Sequence, residues 1–389
     1  MFMHTRSLNR FSFRFLWVML LVGLASCGVN PDSSEQPFDG ASIHLVWSQE
    51  LGAPINSPPL RIGNVLIVAP VGKPLVGLNA ETGETLWQYD PGVMIWDRAY
   101  GTDGKRLFIG IDGGRYVALN PVNGKQIWET SLGINSQMAP FISGGIVYVP
   151  TTFAGPGLIG DPTGKAKLVA LSTEDGRVLW DFESDNYVLQ TPFRQGDVLY
   201  VGGSFSSPIE VNEGGHMRLY ALNAANGSVK WKFESEDGFI KQLYATDKFI
   251  SYIAYRDFIV GLDSSSGELK YQADTGNWVP TLSGHGEAVF YGSANTSVHA
   301  VDINTGRDLW LFNIPEGTFN YLAGAPVYLP SNELVFLTQQ GDIFSLNAST
   351  GDPLWHFQTD TLAPRTGLSV SNRWIYLSDS DGILYAYTD

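Results

Sequence analysis

Ala118-Leu119-Asn120-Pro121-Val122-Asn123-Gly124-Lys125-Gln126-Ile127-Trp128 is the stretch that decides the fold. Its skeleton is a small residue, Leu, Asn or Asp, then Gly four residues on and Trp four residues after that. The same skeleton recurs as Gly77-Leu78-Asn79 with Gly83 and Trp87, and as Ala170-Leu171-Ser172 with Gly176 and Trp180. It returns as Ala221-Leu222-Asn223 with Gly227 and Trp231, and as Gly261-Leu262-Asp263 with Gly267 and Tyr271. Ala300-Val301-Asp302 with Gly306 and Trp310, and Ser345-Leu346-Asn347 with Gly351 and Trp355, complete the set. Trp47 is an eighth aromatic with no turn before it, and Tyr385-Ala386-Tyr387-Thr388-Asp389 is a first half with no second. The eight aromatics follow one another at intervals of 40, 41, 52, 51, 40, 39 and 45 residues. A recurring interval of this size marks a repeat architecture.

Between the turns the pattern alternates with period two, as in Asp197-Val198-Leu199-Tyr200-Val201, instead of following a helical period. Each unit therefore reads as four short strands, one blade of an all-β propeller. The two orphans fix the closure: Leu45-Val46-Trp47 supplies the outer strand that the last unit lacks, giving eight four-stranded antiparallel blades. Such a ring leaves no exposed end to the array. The Gly of each turn is expected to take a positive φ. Trp47, Trp87, Trp128, Trp180, Trp231, Tyr271, Trp310 and Trp355 are expected to fill the gaps between blades. Of the remaining tryptophans, Trp374 alternates within a strand, Trp17 lies near the N-terminus, and Trp96 and Trp278 fall outside the register.

The motif Ala-Leu-Asn-x-x-x-Gly-x-x-x-Trp resembles the PQQ-type propeller repeat of quinoprotein dehydrogenases. Among short lipidated members it is similar to the BamB-like family of the outer-membrane barrel-assembly machinery. The resemblance covers the chain from about Leu45 to the C-terminus. It implies the propeller fold, and two divergent functions share it.

Residues 1–26 carry Arg6, Arg10, Arg14, no acid, and the apolar run Phe15 to Leu24, the layout of a secretory signal. Leu24-Ala25-Ser26-Cys27 resembles a lipobox, so cleavage before Cys27 and lipidation of this sole cysteine are expected. Residues 27–42, rich in Ser, Pro, Asp and Glu, read as a flexible tether, and 43–389 as the propeller. Gly28 is not the Asp that resembles an inner-membrane retention signal. The expected location is the periplasmic face of the outer membrane in a diderm host, or the outer face of the cell membrane in a monoderm.

The formal net charge is −15. Without the three leader arginines, 21 basic residues face 39 acidic ones, a net of −18. Nucleic acid is thereby excluded as a partner, and anchoring falls to acyl chains instead of charge. Gly155-Pro156-Gly157-Leu158-Ile159-Gly160 matches a dinucleotide fingerprint by letters, but Asp161-Pro162 forbids the helix it requires. Asp379-Ser380-Asp381-Gly382 resembles the start of a calcium loop and reads as a hairpin turn. The histidines His4, His44, His216, His285, His299 and His356 lack metal-ligand spacing.

Quinoprotein dehydrogenases, as the resemblance implies, carry calcium, a catalytic Asp, an Arg over the quinone and commonly a cysteine pair. This chain has neither a cysteine pair nor their length, so neither PQQ nor calcium is expected and the protein is read as non-enzymatic. Loops from second to third strand and from outer to next inner strand share one face of a propeller. The two longest units put their extra residues there, from Thr151 to Lys167 and from Gly203 to Arg218. The same face gathers Trp96, Asp97, Arg98, Tyr187, Gln190, Phe239, Gln242, Trp278, Phe319, Tyr321 and Arg365, a set rich in interface residue types. In BamB-like proteins the barrel subunit is held by a Leu-x-Leu-Arg-type loop and by acids in the following blade. Here Asp185-Asn186-Tyr187-Val188-Leu189-Gln190 lacks the arginine, while Glu236-Asp237-Gly238-Phe239 keeps acids. The leading expectation is a monomeric, membrane-tethered scaffold for an envelope protein, an outer-membrane β-barrel among the candidates. The alternatives are a carbohydrate or peptide receptor using Trp96 or Trp278 as stacking platforms and, third, a PQQ-dependent dehydrogenase.

Overall fold

The computed structural model describes residues 38–151, 166–185, 188–204, 217–236, 240, 242–254, 258–276, 279, 281–294, 296–315, 322–359, 366–371 and 373–389. The first 26 residues, Cys27 and the rest of the tether up to 37 lie outside them, as do the 155–160 loop and both insertions.

Eight antiparallel sheets form an eight-bladed propeller. Blade 1 shows the pattern: Leu60–Ile62 is innermost, followed outward by Val65–Val68, Leu75–Asn79 and Thr85–Tyr89. Blades 2 to 7 repeat it over 95–131, 141–183, 193–235, 243–274, 282–313 and 327–358, and in blade 4 a fifth short strand, Val188–Leu189, also pairs with Val198–Ser204. Blade 8 is built from Ser369–Ser371, Trp374–Ser378 and Ile383–Thr388, and His44–Glu50 pairs with Ile383–Thr388 as its outer strand. The closure read from the two orphan half-motifs is the closure of the ring.

The turn chemistry explains the motif. Asn79 N–H donates to Glu84 O at 2.8 Å and Gly83 N–H to Asn79 O at 2.9 Å, while Asn79 Oδ1 accepts from the Glu81 and Thr82 amides. Asn or Asp opens the turn because its side chain satisfies amides that the bend leaves unpaired. Gly83 closes it at φ +76°, where a Cβ would be strained.

The aromatic ring of each of the first seven blade interfaces lies flat on the turn glycine of the next blade. A Cβ built at Gly83, Gly124, Gly176, Gly227, Gly267, Gly306 or Gly351 would fall 2.5–2.7 Å from the ring of Trp47, Trp87, Trp128, Trp180, Trp231, Tyr271 or Trp310. Each indole N–H then donates to the carbonyl one residue past the Asn/Asp position: Trp47 to Ala80, Trp87 to Pro121, Trp128 to Thr173, Trp180 to Ala224, Trp231 to Ser264, Trp310 to Ala348. Tyr271 has no indole and cannot do so. Phe or Tyr on the second strand packs against most of these rings, as Phe108 does on Trp128 and Tyr148 on Trp180.

Phe38, inside the segment 27–42 read as a tether, is buried against blades 7 and 8 together with Ile43, the first residue of the stretch read as propeller. The polar composition of this segment hides one apolar residue that the ring closure uses.

Candidate functional site

Second and fourth strands of a blade run in the same direction, so the loops that follow them emerge on one face. The ends of both insertions, at Thr151/Ala166 and Ser204/Met217, lie there on adjacent blades 3 and 4. Tyr187, Phe239, Trp278, Phe319, Tyr321 and Arg365 fall outside the described residues. Trp96, Asp97, Arg98, Gln190 and Gln242 fall within them.

Trp96, Asp97 and Arg98 occupy a bulge at the start of blade 2. Ile95 pairs with Ile111 and Tyr100 with Ile109, so four residues on the inner strand stand against Gly110 alone. Gly110 has no room for a Cβ, which would meet Ser136 O at 2.7 Å and Ala99 at 3.1 Å. Bulges of this kind re-aim side chains. This one is held from the neighbouring blade: Asn56 Nδ2 donates to Asp97 Oδ2 at 2.7 Å, and Ser57 Oγ donates to Asp97 O and to Tyr100 OH. Asp97 is therefore a strut, and Arg98 is exposed beside it with no ion pair among the described residues. The Trp96 indole N–H is buried and has no hydrogen-bond partner among the described residues. A donor left in that state costs about 1–3 kcal/mol, which a rotation toward an incoming acceptor would recover.

Three apolar side chains that sequence reading missed lie beside the bulge. Val71 is 41 % exposed on the second-to-third-strand loop of blade 1, and Val93 and Met94 are 40 % and 46 % exposed on the connection into blade 2. Leu75 pairs with Tyr89, which sets the two loops side by side. Their only sequence signal was an apolar residue within a Gly/Pro-rich loop. Gln190 donates its backbone amide to Gly202 O, and Gln242 Oε1 accepts from Leu282 N–H across the blade 5–6 boundary. Both are tied into the strand ends around the channel mouth, and neither approaches the blade 2 bulge in sequence or blade order.

Ser297, His299 and Asp308 in blade 6 form a chain that sequence spacing concealed. Ser297 Oγ lies 2.9 Å from His299 Nε2, and His299 Nδ1 lies 3.2 Å from Asp308 Oδ1. His299 stacks on Tyr291 and borders a cleft of about 270 Å³ between blades 5 and 6. The order imitates a hydrolytic triad, but Ser297 is 2 % exposed and does not line the cleft, so no substrate carbonyl reaches its oxygen.

Asp97 is the single carboxylate on the innermost strands described, and it serves the bulge. Arg61 donates to Ser371 O and Tyr376 OH, and Arg194 to Ser143 O and Tyr148 OH, so both guanidinium groups are committed to the preceding blade. No group of three or more His, Cys, Asp or Glu converges among the described residues.

The family described as outer membrane protein assembly factor BamB matches residues 38–94, 92–185 and 192–389. The chain is 21 % identical over 360 residues to outer membrane protein assembly factor BamB of Burkholderia pseudomallei, covering 89 % of this chain and 88 % of that one. It is also 22 % identical to a polyvinylalcohol dehydrogenase of a Pseudomonas species, covering 93 % of this chain but 61 % of that enzyme. The crystal structure of BamB from Moraxella catarrhalis superposes with a TM-score of 0.63 at 18 % identity, covering 89 % of this chain and all of that one, 100 %. Quinohemoprotein alcohol dehydrogenase from Comamonas testosteroni gives 0.64 at 14 %, covering 89 % and 76 %. The structural likenesses establish the shared fold, and the family match across nearly all of the propeller decides the affiliation: this chain belongs to the BamB family of PQQ-like eight-bladed propellers.

Proposed function

We propose that the protein is a non-enzymatic scaffold of the cell envelope that holds a protein partner during outer-membrane protein assembly. Family membership supports the setting, and the blade 2 bulge is the observation that carries the mechanism. A strand diverted by four residues, strutted by Asn56 and Ser57 and topped by Trp96 and Arg98, is a rigid display of residue types that anchor interfaces. Val71, Val93 and Met94 extend it with apolar surface, and the described ends of the blade 3 and 4 insertions lie on the same face. Binding to a preformed surface orders few residues and so loses little entropy. Lipidation at Cys27 belongs to this proposal as the means of attachment, with the propeller on the periplasmic side of an outer membrane.

A photo-reactive residue in place of Met94 should cross-link to one defined envelope protein in living cells. The same residue in place of Val122, exposed on a third-to-fourth-strand turn of the opposite face, should not. Equal labelling from both positions, or none from Met94, would contradict the assignment of the face. The similarity to polyvinylalcohol dehydrogenase motivates one enzymatic check, quinone-dependent dye reduction with calcium present. Turnover there would replace the scaffold reading.

A further inference from the structure

The interface between blades 5 and 6 departs from the repeat at four positions that meet in one place. Tyr271 stands where every other interface has Trp. Val301 stands where the other six complete motifs have Leu. His299 takes a third-strand position that is Val, Tyr or Phe in every other blade, as in Val117 and Val169. Asp308 lies two residues past its turn glycine, where the other six turns have Thr85, Gln126, Val178, Val229, Leu269 and Pro353. Breaks in an otherwise self-consistent pattern are expected where function overrides packing. His299, Val301 and Asp308 all line the cleft of about 270 Å³ between the two blades, and Tyr271 packs on Gly306 at its edge.

These departures open the outer half of the interface. The Tyr271 hydroxyl turns back toward Ser251 of its own blade, so no indole N–H reaches Ile303 O, the carbonyl equivalent to those the tryptophans meet. The inner half is pinned across the boundary. Tyr244 Oη donates to Gly286 O at 3.0 Å, and Leu282 N–H donates to Gln242 Oε1 at 3.3 Å. The cleft therefore has fixed walls.

Its floor is apolar, with Ile259, Tyr291 and Val301, and its charges sit apart. Arg307 of blade 6 and Asp274 of blade 5 both line it, with no ion pair to each other or to another described residue. His299 Nδ1 holds Asp308 Oδ1 and leaves the second carboxylate oxygen without a partner among the described residues. Opposite charges held apart over an apolar floor complement a ligand that carries both. A guanidinium fork suits a carboxylate, and carboxylates accept from an ammonium group. The volume falls below the roughly 300–1,000 Å³ of drug-sized sites, so the body between the charges is short.

We propose that this cleft binds a small zwitterion with an aliphatic body, the chemistry of a free amino acid such as leucine. Its carboxylate pairs with Arg307, its ammonium group with Asp274 and Asp308, and its hydrocarbon rests on Ile259 and Val301. His299 is a positioning residue that orients Asp308. The cleft lies away from the blade 2 bulge and does not depend on the partner assigned there.

Isothermal titration calorimetry of the purified full-length chain with L-leucine reads this directly, and saturable binding is expected. Isopentylamine and isocaproate, each lacking one of the charges, should bind about tenfold or more weakly. Arg307→Gln and Asp274→Asn should each weaken leucine binding by about tenfold or more. Val301→Leu, which restores the residue of the repeat, should abolish binding by filling the floor while the melting temperature holds. Arg177→Gln, at the turn position of blade 3 equivalent to Arg307, should leave binding as it was. Absence of saturable leucine binding would overturn the proposal. So would equal binding of the singly charged analogues, or binding indifferent to the Arg307 and Asp274 substitutions. Any of these results leaves the Met94 cross-linking experiment standing.

Discussion

Seven of the eight blade interfaces and the eighth solve one packing problem by different means. In the seven, an aromatic ring lies on a glycine inside a covalent hairpin, and six of the rings donate an indole N–H to that hairpin. Blade 8 has no such hairpin, because its third and outer strands come from opposite ends of the chain. Gly40 takes the place of the turn glycine, packed against the Trp355 side chain, with Phe38 tilted against the ring at 5.8 Å. Asp39 imitates the Asn/Asp of the hairpins: its carboxylate accepts the Ala41 amide and its carbonyl the Ser42 amide. The missing covalent link is replaced by Asp389, which accepts from the Asp39 amide and from Arg373. Trp355 finds no hairpin carbonyl and donates instead to the buried carboxylate of Glu333, which also accepts from Ser331 and Ser345. A segment of four residues thus rebuilds a turn across a chain break, which shows that the turn's hydrogen-bond geometry, and not its continuity, is what the ring requires.

The strongest way to break the comparison is to remove a hairpin-side ring. Trp128→Ala should lower unfolding free energy by about 3–5 kcal/mol in urea titration, since the ring is buried and its N–H paired. Next come the glycines on the two sides of the comparison. Gly124→Ala combines a left-handed backbone (φ +67°) with a clash on Trp87 and should cost at least about 1–2 kcal/mol globally. Gly40→Ala meets Trp355 without backbone strain, and the segment can detach from the ring. Its signature should be faster hydrogen exchange around residues 38–43 with a smaller change in global stability. Equal global losses from both would show that the seam folds as one unit with the hairpins.

Alkaline pH should act on the hairpin side. Burial pushes Tyr200 and Tyr244 up to about 12, and their hydroxyls donate to Ser264 O and Gly286 O. Because the folded values exceed the unfolded value of about 10, their contribution is complete below pH 10 and is lost as pH rises through 12. Unfolding should accompany the appearance of tyrosinate absorbance in that window, and Tyr200→Phe should move its onset upward. The smallest effect belongs to Arg373→Ala at the seam, because the arginine is half exposed and solvent screens the pair. Added salt should shrink the difference further.

Much of the fold was legible because its devices are local in sequence. Asn at the turn, Gly four residues on and Trp four after that are dictated by one hairpin and one neighbour, so they repeat at readable spacing. The closure by Leu45-Val46-Trp47 was legible for the same reason, as a half-motif without its mate. The role of Phe38 and Gly40 was not, because they pack against Trp355, far away in the chain, and their polar neighbours imitate a tether. At the candidate site the residue types Trp96 and Arg98 were visible, but the bulge that displays them exists only in the register between two strands. Asp97 read as a contact residue, and its hydrogen bond from Asn56 of the neighbouring blade, which braces the bulge, was not legible.

The scaffold proposal is tested most directly by mass spectrometry of what stays with the full-length protein after extraction from native membranes in mild detergent. A stoichiometric outer-membrane β-barrel is expected, retained by the wild type and depleted by Arg98→Glu with Met94→Asp on the bulge-bearing face. A protein recovered with no stoichiometric partner, or a complex indifferent to those substitutions, would contradict it.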